Sequence, residues 1–181
     1  KLDCGIAFDG GGERCLAVDE NGCLVDGDVI IAACAGYMQE QGTLHNNSIL
    51  VTHANNMGLI RFAKERGIGT AAAPTGERAM MRRMLECDFS IGGDPSGHIL
   101  FPYDMPSADG QLTAIKLLEA MKSSEKKMRE ELQMMKDNNI NAVRVAYFPA
   151  HPAFYDLCDE YGIYVFNEAN IQPYHFDRTL S

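Results

Sequence analysis

The sequence lacks tryptophan, has no two cysteines separated by two residues, and contains no apolar run of the 18–20 residues that a membrane span requires. Without a Cys-x-x-Cys pair, neither a zinc ribbon nor a dithiol redox site is indicated. We therefore expect reduced and mostly buried thiols in a cytoplasmic protein. The six cysteines stand at irregular spacings, as Cys4, Cys15, Cys23, Cys34, Cys87 and Cys158.

Basic residues are also few, because 16 Lys and Arg oppose 25 Asp and Glu, which gives a net charge of −9. A field of that sign repels nucleic-acid phosphates and anionic lipids, so we expect neither nucleic acid nor a membrane as a partner. A small phosphorylated ligand is compatible with this charge, since arginines in a cleft can reverse the field locally. The 181 residues, 46% of them hydrophobic, suffice for one ordinary domain or two small ones.

The first residue is not methionine, and the chain opens inside a predicted strand. We therefore expect the sequence to be a piece of something longer or a deliberately trimmed chain.

Strand and helix patterns alternate over the first 122 residues, which predicts a layered α/β domain with ligand chemistry at the carboxyl ends of its strands. Strands are predicted over 4–8, 16–18, 23–25, 48–52, 70–73, 89–91 and 99–101. Helices are predicted over 29–41, 57–66, 79–86 and 111–122.

The tail has a different character. A charged amphipathic helix is predicted over 126–136, followed by a strand over 142–145, a helix over 154–160 and a strand over 163–166. This order predicts a βαβ unit. We expect the methionines of its first helix to belong to the core.

Four loops carry the polar residues of the first part, at 9–14, 75–78, 93–98 and 108–110. Their order and surroundings resemble the α-D-phosphohexomutase superfamily over about residues 2–122. The resemblance implies a strand with a metal-type loop over 1–14 and an inner α/β domain with a mixed sheet over 15–124. The family's enzymes are isomerases that move a phosphoryl group within a hexose or hexosamine phosphate.

The resemblance implies a Mg²⁺ site at Asp9 and Glu13, with Arg14 as a catalytic residue beside them. The family's metal loop reads Asp-Gly-Asp-x-Asp-Arg, and Gly11 stands at the position of its second aspartate. Closely spaced carboxylates suit a hard cation, so the loss of one predicts that Mg²⁺ binding is weak or absent.

The family's sugar-recognition loop reads Gly-Glu-x-Ser-Gly-His. Its counterpart here implies that Asp94, Ser96 and His98 contact the substrate, with aspartate in place of glutamate. Thr75 and Arg78 are further substrate-binding candidates. The guanidinium of Arg78 suits a phosphate. A surface ion pair of Arg78 with Glu77 or Glu86 is the alternative.

The tail, over about residues 128–172, resembles the glycosidase (β/α)₈ barrel of β-galactosidases and β-glucuronidases. The motif that carries this resemblance includes Glu168-Ala169-Asn170-Ile171, where Glu168 matches a non-catalytic position. The segment 125–181 is thereby expected to be one βαβ slice of a barrel. Such a slice must pack on the first sheet, pair with another chain, or stay partly disordered.

Three functional hypotheses follow. The first is a fragment or degenerate relative of a Mg²⁺-dependent phosphohexomutase, without turnover as this chain alone and with a phosphorylated hexose or hexosamine as its ligand. The second is a fragment of a β-galactosidase-type glycoside hydrolase. The third is a non-catalytic chimeric α/β module, able to associate with itself through the βαβ segment.

Overall fold

The computed structural model describes residues 4–146, 150 and 152–168, which form nine strands and five helices. The strands are β1 (Cys4–Phe8), β2 (Cys15–Asp19), β3 (Leu24–Val25), β4 (Ser48–Thr52), β5 (Gly69–Ala73), β6 (Gly92–Gly93), β7 (Ile99–Leu100), β8 (Ala142–Val145) and β9 (Tyr164–Asn167). The helices are α1 (Gly27–Glu40), α2 (Met57–Glu65), α3 (Glu77–Glu86), α4 (Gly110–Asp137) and α5 (Pro152–Tyr161). The predicted α/β class is confirmed.

The chain divides into two compact units, and the boundary lies between Met121 and Lys122. The first contains an antiparallel sheet in the order β1-β2-β3 and a mixed sheet in the order β5-β4-β6-β7. Strand β4 pairs in parallel with both β5 and β6, and β6 pairs antiparallel with β7. This arrangement brings the ends of β4, β5 and β6 to one edge of the sheet.

Alternation along β4 builds a core on both faces of the mixed sheet. Ile49 and Val51 pack into one cluster with residues of α1, α2 and α4, whereas Leu50 packs into a second cluster with residues of α3. All three side chains are buried. The first unit is therefore a sheet layer between two helical layers.

The second unit is a βαβ unit, in which β8 and β9 pair in parallel on either side of α5 in the sequence. Its own small core centres on Leu132, Leu157, Cys158 and Ile163. Met128 and Met135 pack against that core, as expected for a methionine stripe.

The structure corrects two of the predicted elements. The strand predicted over 89–91 is instead Gly92–Gly93, where a Cβ on Gly92 would lie 2.6 Å from Leu50 Cβ. Close packing against β4 thus requires glycine where strand propensity disfavours it.

The second correction concerns α4, which runs unbroken over 28 residues where two helices were predicted. Ser123 and Ser124 carry only a mild helix penalty, and neither glycine nor proline interrupts the segment after Gly110. The helix therefore continues through the predicted break.

None of the helices in the described residues combines the length and the apolar character that a membrane span requires.

Candidate functional site

The loop that contains Asp94, Ser96 and His98 is fixed by main-chain contacts on two sides. The Cys15 N–H, at the start of β2, donates to the Gly97 carbonyl at 3.1 Å. The Gly27 N–H, at the start of α1, donates to the Pro95 carbonyl at 3.0 Å. This recognition loop therefore lies between the beginnings of one strand and one helix.

Glycine permits both approaches. A Cβ on Gly97, whose φ is +86°, would lie 2.2 Å from the Cys15 carbonyl oxygen. A Cβ on Gly27 would lie 2.1 Å from the Asp94 carbonyl oxygen. Such distances are far below any real carbon–oxygen contact, so the two glycines are needed for the loop to seat.

The metal-type loop after β1 is held by the start of α4. The Gly110 N–H donates to the Gly12 carbonyl at 2.8 Å, and a Cβ on Gly110 would lie 2.6 Å from the Arg14 carbonyl oxygen. The Asp109 carboxylate caps the same helix by accepting from the Leu112 N–H at 2.9 Å. The metal-type loop is thereby fixed on a helix start, as the recognition loop is.

Asp9, the first predicted metal ligand, accepts hydrogen bonds from the backbone of its own loop. Its Oδ1 accepts from the backbone N–H groups of Glu13 at 2.9 Å and Arg14 at 3.3 Å. These bonds, that of Arg14 foremost, lower the pKa of the Asp9 carboxyl, since donors favour its charged form. One carboxylate oxygen thus already has backbone partners.

Glu13, the second predicted ligand, meets two other side chains. Its carboxylate, that of Glu77 and the imidazole of His98 offer ligand atoms that all lie within 4.8 Å of one another. Glu77 Oε2 lies 3.2 Å from His98 Nε2, and the His98 side chain is only 12% exposed. The structure therefore joins a predicted metal ligand to a predicted substrate residue through Glu77, which sequence reasoning had not selected.

Asp94 and Ser96 are joined to each other. Asp94 Oδ1 accepts from the Ser96 N–H at 2.8 Å and from the Ser96 hydroxyl at 2.5 Å. The second carboxylate oxygen of Asp94 and the lone pairs of the Ser96 hydroxyl remain as acceptors. The pair can accept hydrogen bonds from ligand hydroxyls at a fixed spacing.

Three further candidates lie at the surface. The side chains of Arg14, Thr75 and Arg78 are exposed. Arg78 forms no ion pair with any residue that the structure describes, because Glu77 pairs with His98 instead. The alternative of a surface ion pair for Arg78 is therefore not observed. Two guanidinium groups are thus exposed, that of Arg14 in the metal-type loop and that of Arg78 in the first turn of α3.

A buried carboxylate supports the edge of the sheet beside these loops. Asp28, 2% exposed, accepts from the Asn55 side chain at 2.5 Å and from the Asn56 N–H at 2.9 Å. Asn55 in turn accepts from the Thr52 N–H at 2.6 Å. This network ties the end of β4 to the first turn of α1. The sequence did not predict this network, because Asp28 at the start of a predicted helix indicates only a helix cap.

A second polar cluster lies elsewhere in the first unit. Asp88 accepts from the Tyr103 hydroxyl and lies 2.8 Å from His45 Nδ1, with the two rings 4.6 Å apart. The hydrogen bonds from Tyr103 and His45 lower the pKa of Asp88. His45 and Tyr103 line a cavity of about 420 Å³. The sequence held no signal for this cluster, since the three residues lie far apart along the chain.

In the second unit, Glu168 is paired with Arg144, whose Nε lies 2.7 Å from Glu168 Oε1. The carboxylate at this strand end is thus engaged in an ion pair. The other residues of the motif, 169–171, lie outside the described residues, and the Glu168 assignment as non-catalytic stays a prediction.

Two family models match the chain. Residues 26–138 match the family described as phosphoglucomutase/phosphomannomutase, alpha/beta/alpha domain III. Residues 120–181 match the family described as glycosyl hydrolases family 2, TIM barrel domain. The first match covers more than half of the chain, and the two overlap within α4.

Among curated proteins, the chain is similar to phosphoglucosamine mutases. It is 41% identical over 135 residues to that of Lachnoclostridium phytofermentans, with 75% of this chain and 30% of the relative covered. It is 44% identical over 130 residues to that of Ruminiclostridium cellulolyticum, with 72% and 29% covered. The chain thus spans less than a third of the length of these relatives.

Among solved structures, a protein described as a phosphomannomutase from Thermus thermophilus superposes with a TM-score of 0.61 at 26% identity, over 67% of this chain and 27% of that one. A phosphoglucomutase/phosphomannomutase family protein from Burkholderia thailandensis shares the fold, with a TM-score of 0.56 at 22% identity, over 66% and 26% of the two chains. The family match, the sequence relatives and the fold agree. The chain belongs to the phosphoglucomutase/phosphomannomutase family and carries its alpha/beta/alpha domain III.

Proposed function

We propose that this chain is the sugar-recognising part of a phosphohexomutase of the phosphoglucosamine mutase type and that it binds a hexosamine phosphate without turning it over. The observation that carries the proposal is the recognition loop, seated between β2 and α1 by the contacts of Gly97 and Gly27. It holds Asp94, Ser96 and His98 on a fixed main chain.

The chemistry of the Asp94, Ser96 and Arg78 side chains suits a phosphorylated sugar. The Asp94–Ser96 pair offers acceptors to vicinal hydroxyls, and the exposed Arg78, which follows the Glu77 that contacts His98, offers a guanidinium to the phosphate. Phosphoryl transfer by such an enzyme also needs an attacking phosphoserine and further phosphate contacts. We assign substrate binding to the residues of this domain, and we expect no turnover by the 181 residues on their own.

The described residues do not fit the three-carboxylate Mg²⁺ loop of the family. Gly11 supplies no ligand, one oxygen of Asp9 accepts backbone N–H groups, and Glu13 lies with Glu77 and His98. A hard cation that favours oxygen ligands has two carboxylates here instead of three. These residues therefore support no chemical step through Mg²⁺, and we expect this chain to bind Mg²⁺ weakly.

Nuclear magnetic resonance titration with glucosamine 6-phosphate tests the proposal. We expect the amide shifts of the recognition loop to move saturably, and Ser96→Ala to weaken binding about tenfold, as loss of one hydrogen-bonding group costs. Ser107→Ala is the matched control, because Ser107 is exposed on a neighbouring loop. Unmoved loop amides at millimolar ligand, or clear mutase turnover in a coupled assay, would contradict it.

The family 2 glycosyl hydrolase match favours a second candidate for residues 120–181, a slice of a glycosidase barrel. The parallel pairing of β8 and β9 around α5 fits that origin. Retaining glycosidases need two carboxylates about 5 Å apart. Because Arg144 engages Glu168, we propose a structural role for this segment, and an absence of hydrolysis of aryl β-galactosides and β-glucuronides is the expected result.

A further inference from the structure

Three side chains from separate stretches of the chain direct possible ligand atoms to one point. Glu13 belongs to the metal-type loop, Glu77 to the first turn of α3, and His98 to the end of the recognition loop. We propose that Glu13, Glu77 and His98 bind a divalent first-row transition metal ion, such as Mn²⁺ or Zn²⁺, in preference to Mg²⁺. This proposal does not depend on the binding of a sugar phosphate.

The set of ligands determines the preference. Mg²⁺ favours an all-oxygen octahedral shell, whereas imidazole nitrogen together with carboxylates suits transition metals. Two glutamates also match the charge of a divalent ion. The replacement of a family aspartate by Gly11 removes an oxygen ligand, and His98 offers a nitrogen ligand atom from another loop.

The geometry requires little movement. Metal–ligand bonds of about 2.1 Å place neighbouring ligands about 3.0–3.4 Å apart and opposite octahedral ligands about 4.2 Å apart, and the ligand atoms of this cluster all lie within 4.8 Å of one another. Glu13 is exposed, so its side chain can rotate to close the difference. The less exposed Glu77 and His98 are already in contact at 3.2 Å.

The loops that carry two of the ligands are fixed before any ion arrives. Main-chain bonds of 2.8 Å from Gly110 to Gly12 and of 3.1 Å from Cys15 to Gly97 hold the metal-type loop and the recognition loop. A site on a fixed main chain loses little conformational entropy when it binds.

The charges of the cluster favour a cation. Neither Glu13 nor Glu77 forms an ion pair with a lysine or arginine among the residues that the structure describes, and His98 alone pairs with Glu77. Two carboxylates at this separation repel each other unless a positive charge lies between them. A divalent ion would supply that charge.

Electron paramagnetic resonance with Mn²⁺ as the probe tests the proposal on the full chain. We expect saturable binding of one ion, displacement by Zn²⁺, no displacement by a large excess of Mg²⁺, and a nitrogen coupling in the pulsed spectrum. Because Cys23 is an exposed thiol that also attracts Zn²⁺, the displacement is repeated with Cys23→Ser.

Matched variants identify the ligands. We expect His98→Gln and Glu77→Gln each to weaken Mn²⁺ binding by about tenfold or more, and His98→Gln to abolish the nitrogen coupling. His53→Gln and Glu86→Gln are the controls, because both residues are exposed and outside the cluster. Should His98→Gln or Glu77→Gln fail to fold by circular dichroism, Glu13→Gln, at an exposed loop position, gives the same test.

Displacement of Mn²⁺ by Mg²⁺ at equal concentration, a missing nitrogen coupling, or unchanged affinity in Glu13→Gln would each overturn the proposal. The titration with glucosamine 6-phosphate measures the binding of a different ligand to the same chain. A chain that binds glucosamine 6-phosphate but not Mn²⁺ would refute this inference alone. A chain that binds Mn²⁺ but not glucosamine 6-phosphate would refute only the proposed function.

Discussion

The carbonyl oxygen of Cys15 occupies the space into which a side chain on Gly97 would extend, 2.2 Å from the position of its Cβ. The same two residues share a main-chain hydrogen bond of 3.1 Å. The recognition loop and the start of β2 are therefore one packed unit, and the position of the loop depends on the absence of one methyl group.

Gly97→Ala is expected to destabilise the first unit by about 3 kcal/mol or more, because left-handed strain adds to overpacking against a backbone atom. Urea unfolding followed by circular dichroism measures the change in the free energy of unfolding. Gly42→Ala is the matched control, since Gly42 has a φ of +70° but open space around it. We expect a cost of about 1–2 kcal/mol there. Equal costs at the two positions would contradict the steric argument.

Gly11→Asp is expected to strengthen Mg²⁺ binding about tenfold by restoring a carboxylate to the metal-type loop. The backbone accepts the change, because the nearest atoms to a Cβ on Gly11 belong to the Glu13 side chain, at ordinary distances of 3.7–3.9 Å. Isothermal titration calorimetry measures the affinity. Gly10→Asp adds the same charge one residue away, also in open space, and serves as the control. A similar gain in both variants would indicate a general charge effect and not a ligand.

Cys34 is expected to resist alkylation in the folded protein while Cys23 reacts. Burial raises the pKa of the Cys34 thiol to about 12, so the reactive thiolate is scarce at pH 8, and the side chain is 1% exposed. Cys23 is exposed. Iodoacetamide labelling followed by mass spectrometry gives the two rates, and labelling in urea should equalise them. Native Cys34 labelled as fast as Cys23 would show that the core opens readily.

Self-association through the βαβ segment is expected to depend on Phe166. Within the described part of the chain, β8 and β9 pair only with each other, and the side chains of Tyr164 and Phe166 are 74% and 67% exposed. Open strand edges beside exposed aromatic residues favour pairing with another chain.

Sedimentation at increasing concentration should therefore show a rising mass that Phe166→Lys reduces. Leu85→Lys, which removes an exposed apolar side chain from α3, should leave the association unchanged. An entirely monomeric wild-type chain would contradict this expectation.

The alternation of strands and helices could be predicted from the sequence because it depends on local apolar patterns and on local caps. The Asp26 carboxylate accepts from the Val29 N–H at 3.1 Å and caps helix α1, which starts at Gly27, two residues before the predicted start at residue 29. The recognition loop could be located because glycine, serine and histidine follow a family motif there. The division of the chain was predicted between 124 and 125, and the two compact units divide between Met121 and Lys122, within the unbroken helix α4.

What the sequence did not reveal depends on contacts between distant segments. Glu77 and His98 are 21 positions apart, and only the parallel pairing of β4 with β5 and β6 brings their loops to one edge. Gly92 pairs as a strand because Leu50 leaves no room for a side chain. Neither relationship can be read from the residues around it.

The glycine contacts at Gly27, Gly97 and Gly110 have a consequence for how such domains diverge. Because each loop is held by main chain against main chain, its side chains can be exchanged without moving the loop. Distant relatives with altered chemistry are therefore better recognised by these glycines than by their ligand residues. For the same reason, the fold offers a protein engineer loops whose side chains can be redesigned on an unchanged frame.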